Sequence, residues 1–268
     1  MRYAHPSPHI SLLSPEAYCP VAIPARITYL VTDCLPVRYS ALQHCPAMQL
    51  IAWDIETCPF PEDSYSEAQQ SRYEERLAKR RAKHPDEDPD DASRLVRSLH
   101  PFLSWICCIS AVRSPLGDAP NRPKSWTAAT PDDEAELLDR FWDDIKHITS
   151  NASSIRWVTF NGKQFDVPFV EARSVHHGVA PFGKQLLDTY PFNDAPHLDL
   201  MKLWPMPLRL HELCELVGVD SPKDEGDGSR VADLVADGQI EQVARYCEKD
   251  VMATLACAKK VWPLLQAR

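Results

Sequence analysis

Residues 50–57 have the sequence LIAWDIET, an apolar run that ends in two acidic residues separated by one position. On a β-strand the side chains of residues i and i+2 project from the same face, so the run predicts that Asp54 and Glu56 lie side by side. Neighbouring anions repel each other unless a cation lies between them, and carboxylate oxygens suit Mg²⁺ or Mn²⁺. An edge strand with a polar face is the commoner explanation of such a pair, so the pair alone does not establish a metal site.

The composition is that of an ordinary soluble globular protein, with 44% hydrophobic and 25% charged residues among 268. No apolar run approaches the roughly 20 residues of a membrane span. Nine cysteines without paired spacing indicate reduced, buried thiols and predict a cytoplasmic protein. The formal net charge of −9 argues against a broadly basic nucleic-acid-binding surface, but bound divalent cations reverse the field locally.

Residues 1–47 differ from the rest of the chain, with seven prolines and no glycine. Met48 stands two residues before the central run, which leaves two hypotheses open. Either Met48 is the native start and residues 1–47 are not part of the native protein, or they form a genuine, poorly ordered extension. Residues 48–268 are assigned to a single domain.

A charged insertion at about residues 62–100 follows the central strand. Residues 67–83 have a helix-forming composition, whereas residues 85–91 (PDEDPDD) are predicted to form a flexible acidic loop. The basic cluster at residues 79–83 could contact a phosphate backbone, but we interpret it as a solvated helix face.

The remaining pattern predicts strands and helices that alternate along the chain. The expected strands are residues 105–112, 124–129 and 155–160, and the expected helices are residues 130–148, 165–177, 208–217, 231–237 and 240–265, with a short element at 197–201. This order predicts an α/β fold, a mixed β-sheet flanked by helices.

Two further acidic motifs accompany these elements. Asp166 opens a helix directly after a core strand and an Asn-Gly turn. Tyr246 and Asp250 are four residues apart and therefore share one face of the last helix. Each acid also has an ordinary explanation, because acids are favoured at helix starts by the dipole and on solvated helix faces.

Taken together, the three motifs resemble those of the DEDD superfamily of 3′–5′ exonucleases, whose catalytic domain has a ribonuclease-H-like fold. Asp54 and Glu56 match the first motif, Asp166 the second and Asp250 the third. Tyr246 stands four residues before the last acid, as in the tyrosine-type (DEDDy) branch. The histidine-type branch has histidine five residues before that acid, where this chain has Arg245.

The surrounding sequence is similar to stand-alone bacterial proteins related to the proofreading exonuclease domain of B-family DNA polymerases. The segments that carry this likeness are residues 159–168, 197–201, 228–231 and 246–251. The resemblance covers about residues 48–263 and leaves out residues 1–47 and most of residues 62–100.

The resemblance implies hydrolysis of phosphodiester bonds with two divalent ions, Mg²⁺ or Mn²⁺, as cofactors. The expected metal ligands, which are also catalytic, are Asp54, Glu56, Asp166 and Asp250. Four carboxylates suffice to hold two ions that clamp the attacking and leaving oxygens. Tyr246 is expected to orient the attacking water, since a tyrosine of ordinary pKa, about 10, is a poor base at neutral pH.

Asn161 and Phe165 match family positions that contact the terminal nucleotides, the first through its amide and the second through its ring. Phe165 could equally pack in the core at the helix start. Thr57, directly after the first motif, is a third candidate substrate-binding residue. Lys163 could reach a phosphate or lie in solvent, and Asp199 is expected to have a role in the fold.

The predicted activity is release of nucleoside monophosphates from 3′ ends of single-stranded DNA. The alternatives are an exoribonuclease acting on RNA 3′ ends and a catalytically silent nucleic-acid-binding module on the same fold. DNA is favoured over RNA by the subgroup likeness alone, because no residue indicates a pocket for the 2′-hydroxyl. No membrane partner is expected, and the sequence identifies no protein partner.

Overall fold

The centre of the protein is a five-stranded β-sheet, seen in a computed structural model that describes residues 48–150, 154–206, 208–222 and 230–267. The strands are β1 (Gln49–Pro59), β2 (Ser104–Pro115), β3 (Lys124–Thr127), β4 (Ile155–Thr159) and β5 (His197–Asp199). Their order is β3-β2-β1-β4-β5. β1 pairs antiparallel with β2 and parallel with β4, so the sheet is mixed, as predicted.

Seven helices accompany the sheet in the described residues. They are α1 (Glu67–Lys83), α2 (Pro89–Ser98), α3 (Glu134–Ser150), α4 (Asp166–His177), α5 (Leu210–Val217), α6 (Val231–Ala236) and α7 (Ile240–Gln266). None of them is long and apolar enough to cross a membrane. The predicted fold class, a mixed sheet flanked by helices, is confirmed.

The central strand β1 divides the core into two layers. Ile51 and Trp53 belong to a cluster that includes α3 and α4, whereas Leu50 and Ala52 belong to a cluster that includes α5 and much of α7. This division follows from the two-residue repeat of a strand. Leu50 and Ala52 therefore face α5 and the second half of α7, and Asp54 and Glu56 occupy the next even-numbered positions, before the register shift that follows Glu56.

The insertion is a helical hairpin, formed by α1 and α2, which corrects part of the sequence prediction. The expected flexible loop at residues 85–91 is wrong in its second half, because α2 begins at Pro89. The Asp88 carboxylate accepts hydrogen bonds from the backbone N–H groups of Asp90 and Asp91, a regular helix cap. The hairpin has its own small core, which consists of Tyr73, Leu77, Ala92, Val96 and Leu103.

The predicted helix start at Thr130 is confirmed. The Asp133 carboxylate accepts hydrogen bonds from the backbone N–H and the hydroxyl of Thr130, and a 3₁₀ turn over Pro131–Asp133 leads into α3. The expectations for residues 1–47 and for residues 228–229 lie outside the described residues.

Candidate active site

The first acidic pair lies on β1, on the face turned towards α7. The Sγ atom of Cys247, on α7, is 3.6 Å from the carbonyl oxygen of Asp54 and 3.9 Å from its Oδ2. One ligand atom each from Asp54, Glu56 and Cys247 lie within 4.8 Å of one another. The strand register shifts directly after Glu56, at a β-bulge between Glu56 and Thr57. Such bulges change the direction of a strand beside functional sites.

The second motif is attached to the same strand. Asp166 is the first residue of α4, and its side chain is almost completely buried. Its Oδ1 accepts a hydrogen bond from the backbone N–H of Ile55, at 3.1 Å. The carboxyl groups of Asp166 and Asp54 also form a hydrogen bond with each other. The second acid is therefore in direct contact with the first.

The third motif comes from α7. Tyr246 and Asp250 are one helical turn apart, and their side chains form a hydrogen bond that favours the charged form of Asp250. Asp250 also repels the charges of Asp54 and Glu56 electrostatically. The structure thus brings together all four acids and the tyrosine that the sequence singles out.

The electrostatics of this acidic cluster, Asp54, Glu56, Asp166 and Asp250, are unusual. Burial is the largest cause in each case, and it raises the pKa of Asp166 to about 7 and that of Asp250 to about 6. Burial and repulsion from the other acids raise the pKa values of Asp54 and Glu56 well above the usual range for a carboxyl group.

The acidic cluster has no basic partner in the described part of the chain, since none of its four carboxyl groups forms a salt bridge there. Four oxygen-donor groups whose charge the protein leaves uncompensated fit hard divalent cations such as Mg²⁺ and Mn²⁺. The donor chemistry therefore agrees with the expected cofactor.

The turn before α4 positions Asn161 and Phe165. Asn161 has a positive φ of 68°, and its buried Oδ1 has no hydrogen-bond partner among the described residues. The ring of Phe165 is 5.4 Å from that of Phe169 and packs against the larger core cluster. The core-packing alternative for Phe165 is thus observed, and the residue as a whole is half-buried.

Asp199 holds this turn in place, as expected from the sequence. Its carboxylate accepts hydrogen bonds from the backbone N–H groups of Asn161, Lys163 and Met201. A Cβ atom added to Gly162 would lie 2.4 Å from the Cβ of Thr159, so the close approach of the turn to β4 requires glycine.

Lys163 is a correction, because it neither lies in solvent nor is free to reach a phosphate. Its side chain is almost completely buried, and its ammonium group donates hydrogen bonds of 2.6 Å to the carbonyl oxygens of Tyr190 and Asn193. These acceptors are far along the chain, so no local pattern indicates this contact. Lys163 fixes the loop before β5.

The hydroxyl of Thr57 donates a hydrogen bond of 2.8 Å to the carbonyl oxygen of Ser98, the last residue of α2. Thr57 is buried, so the residue directly after the acidic pair connects β1 to the α1–α2 hairpin. Neither this connection nor the thiol of Cys247 beside Asp54 is predicted from the sequence. The helical spacing of Cys247 from Asp250, i and i+3, is the signal that could have indicated the thiol.

A second buried charged group lies away from the acidic cluster. Glu134 is fully buried and pairs with Arg173 and His177, at 2.5 Å and 2.8 Å. Its carboxylate also accepts a hydrogen bond from the backbone N–H of Ile106. Both of its carboxylate oxygens are hydrogen-bonded to groups of α4 or β2, which gives Glu134 a structural role.

Comparison with known proteins places the second and third motifs in a family, whereas Asp54 and Glu56 lie before the matched residues. A family described as a predicted 3′–5′ exonuclease related to the exonuclease domain of PolB matches residues 99–258, a range that includes Asp166, Tyr246 and Asp250. The catalytic polypeptide of DNA polymerase epsilon from Dictyostelium discoideum is 27% identical over 142 residues, which are 51% of this chain and 5% of that protein.

Among solved structures, the family B DNA polymerase of the archaeon Pyrobaculum calidifontis has a TM-score of 0.56 at 19% identity, over 82% of this chain and 25% of that one. Exonuclease I of E. coli in complex with a 5cy-dT13 oligonucleotide has a TM-score of 0.43 at 14% identity, over 82% and 41% of the two chains. This chain thus spans only a small part of the polymerases that it resembles. The polymerase likeness confirms the ribonuclease-H-like fold. Because the family match extends over more than half of the sequence, the chain belongs to the family of PolB-related 3′–5′ exonucleases.

Proposed function

We propose that the protein removes nucleoside monophosphates from the 3′ ends of single-stranded DNA in a reaction that requires divalent metal ions. The observation that carries this proposal is the acidic cluster, in which four carboxyl groups from β1, α4 and α7 converge without a basic partner in the described residues. The family membership gives the reaction class. The matched relative and the polymerase of similar fold are both DNA polymerases by name, which favours DNA.

In this proposal Asp54, Glu56, Asp166 and Asp250 hold two Mg²⁺ or Mn²⁺ ions. When bound, such ions supply hydroxide near neutral pH and stabilise the charge that develops on the phosphate. The raised pKa values mean that the cluster carries protons near neutral pH, so metal binding must displace them. Ion affinity should therefore rise with pH.

Tyr246 is a positioning residue in this proposal. Tyr246 precedes Asp250 by one helical turn, and its hydroxyl is hydrogen-bonded to the Asp250 carboxyl group, so it lies beside the acidic cluster. From there it orients the attacking water. The side-chain carbonyl oxygen of Asn161 is buried and lacks a partner among the described residues. We propose that it accepts a hydrogen bond from the terminal nucleotide. Phe165, next to Asp166, supports the terminal base or sugar.

The test is digestion of matched single-stranded DNA and RNA, labelled at either end, with Mg²⁺ or Mn²⁺ and with a chelator. We expect 3′-labelled DNA to release labelled mononucleotide at once and 5′-labelled DNA to shorten progressively, with no product in the chelator. The matched control is Asp250→Asn, which removes one negative charge and keeps the size of the side chain. Full activity of this variant, or no cleavage by the unaltered protein with either ion, would overturn the proposal. Preferential digestion of RNA would show that RNA, and not DNA, is the substrate.

A further inference from the structure

The α1–α2 hairpin lies outside the residues that the family model matches, which begin at residue 99, and it corresponds to the charged insertion singled out in the sequence. It is well anchored all the same. The hydroxyls of Thr57 and Ser104 both donate hydrogen bonds to the carbonyl oxygen of Ser98, at 2.8 Å and 2.9 Å. Since Thr57 directly follows Glu56, the C-terminal end of α2 is fixed one residue away from the acidic cluster.

A basic pocket of about 290 Å³ lies on one face of this hairpin. Its polar lining is Arg76, Lys79, Arg80, Lys83 and His84, and its apolar lining is Leu95, Val96 and Leu99. The four cations are spaced i, i+3, i+4 and i+7 along α1, so they share one face of the helix. No acidic side chain lines the pocket.

The cations of the basic pocket differ in their availability. Arg80 forms two hydrogen bonds of 2.6 Å to Glu87 and so holds the end of α1 to the loop between the helices. Lys79 has only an exposed pair with Glu75, which is weak and easily exchanged.

Arg76 and Lys83 have no ion pair within the described ranges of the chain. The Nε atom of Arg76 is moreover buried with no hydrogen-bond partner there. A buried donor without an acceptor is unfavourable, and an anion that enters the pocket would satisfy it.

We propose that this pocket binds the phosphodiester backbone of the nucleic-acid strand whose 3′ end lies at the acidic cluster. The inference rests on the proposed function and adds to it a second contact for the same strand. A substrate of this kind is a polyanion, and both the acidic cluster and the net charge of −9 repel it. The basic pocket provides positive charge that attracts this polyanion. It belongs to the hairpin that is hydrogen-bonded to Thr57, the residue after Glu56.

Exposed apolar side chains accompany these cations. Leu99 is 45% exposed at the pocket, and Phe102, on the segment that leads into β2, is 44% exposed. Gln69 of α1 donates a hydrogen bond to the carbonyl oxygen of Phe102, which joins the backbone at Phe102 to the same hairpin. An exposed aromatic ring beside a basic groove is the usual arrangement for binding single strands, because every base has a face that can stack. We therefore assign Phe102 to stacking with a base of the bound strand.

The experiment measures binding of a fluorescent single strand of about 20 nucleotides in a background of Asp166→Asn, without divalent ions, over a range of salt concentrations. The triple variant Arg76→Gln, Lys79→Gln, Lys83→Gln is compared with the triple variant Arg81→Gln, Arg140→Gln, Lys260→Gln. Both remove three positive charges, but the second set lies outside the basic pocket. Each phosphate contact contributes about 0.7 to the slope of log K against log salt for single strands. We expect the pocket variant to lose about 2 units of slope and at least about 10-fold in affinity at low salt, while the control changes less than about 2-fold.

A narrower comparison uses one helix only. Arg76→Gln and Arg81→Gln remove one charge each from α1, and only the first lines the pocket. The inference predicts weaker binding and a higher KM on long strands for Arg76→Gln than for Arg81→Gln, with circular dichroism and thermal unfolding confirming that both fold. Equal effects of the two variants, or of the two triple variants, would overturn it. Since binding is measured without cleavage, failure of the unaltered protein to cleave would count against the proposed function alone.

Discussion

The backbone N–H of Ile55 donates a hydrogen bond to Oδ1 of Asp166, at 3.1 Å, across 111 positions of sequence. Ile55 lies between Asp54 and Glu56, so this bond joins the first turn of α4 to the point of β1 that presents two acids. This hydrogen bond fixes the orientation of the Asp166 carboxyl group, so one of its oxygens has a structural role. The same side chain is part of the acidic cluster, and its two tasks can be separated by mutation.

Asp166→Asn and Asp166→Ala are expected to differ in stability and to agree in activity. The asparagine amide oxygen can still accept the hydrogen bond from Ile55, whereas alanine leaves a buried N–H unsatisfied, at a cost of about 1–3 kcal/mol. Both variants lack the carboxylate and should be nearly inactive. Urea unfolding and cleavage assays on the same preparations test this, and an alanine variant as stable as the asparagine variant would contradict the structural task.

Without divalent ions, the stability of the protein should fall as the pH rises from about 4 to about 8. Burial raises the pKa of Asp166 to about 7 and that of Asp250 to about 6, from an ordinary value of 3.8. The folded state therefore binds these protons more tightly than the unfolded state, and this contribution is complete below pH 4 and lost as the pH passes through about 6 to 7.

Thermal unfolding at a series of pH values measures the effect. The decrease should be smaller in Asp166→Asn, which cannot lose the proton, and Mn²⁺ should raise the unfolding temperature most at the alkaline end, where the cluster is charged. A metal-free protein whose stability rises over this pH range would show that the cluster is not strained by its own charge.

Tyr246→Phe should reduce kcat by about 10- to 100-fold, the usual effect of losing a group that orients a ligand or water. The substitution removes the hydroxyl that is hydrogen-bonded to Asp250 and keeps the ring. Mn²⁺ binding, measured by calorimetry, should change little. Loss of activity as complete as in Asp250→Asn would instead assign the hydroxyl a direct part in the chemistry.

Asn161→Gly should keep the stability of the fold and raise KM, whereas Asn161→Ala should raise KM and also destabilise the fold. Asn161 has a φ of 68°, a conformation that glycine adopts freely and that costs alanine roughly 1–2 kcal/mol. The backbone N–H that donates to Asp199 is kept in both variants. Thermal unfolding and steady-state kinetics are measured for both variants. An unchanged KM in the glycine variant would show that the Asn161 amide does not bind the substrate.

Glu134→Ala should lower the free energy of unfolding by about 3–5 kcal/mol, because it leaves the buried guanidinium of Arg173 without its partner. The double variant Glu134→Met, Arg173→Met removes both charges and should recover most of the loss. Urea unfolding of the single and double variants gives the comparison, and a loss below about 1 kcal/mol in the single variant would show that the pair is dispensable.

The acidic cluster could be predicted from the sequence because its three short motifs together resemble those of the DEDD exonucleases, although no single motif was sufficient. Asp54 and Glu56 follow the repeat of a strand, Tyr246 and Asp250 follow the repeat of a helix, and the apolar runs around them indicate which elements carry them. The start of α2 is harder to predict although Asp88 and Pro89 are good helix-start residues, because the acidic composition of the segment indicates a loop.

The contacts that could not be predicted join positions far apart in the chain. Lys163 looks like a surface cation, but its acceptors are carbonyl oxygens at Tyr190 and Asn193. The position of Thr57 after the acids suggests substrate binding, and its hydrogen bond to Ser98 depends on how the hairpin packs. Backbone carbonyl groups have no sequence signature, so such contacts appear only in the folded molecule.

The site's distribution along the chain has a consequence for protein synthesis. The thiol of Cys247 and the carboxyl group of Asp54 touch across 193 positions, and Asp250 follows on the same helix. A nascent chain on the ribosome contains β1 and α4 long before α7 has been translated and docked. The complete set of four acids cannot exist until then, so a partly synthesised chain that ends before α7 lacks a complete acidic cluster.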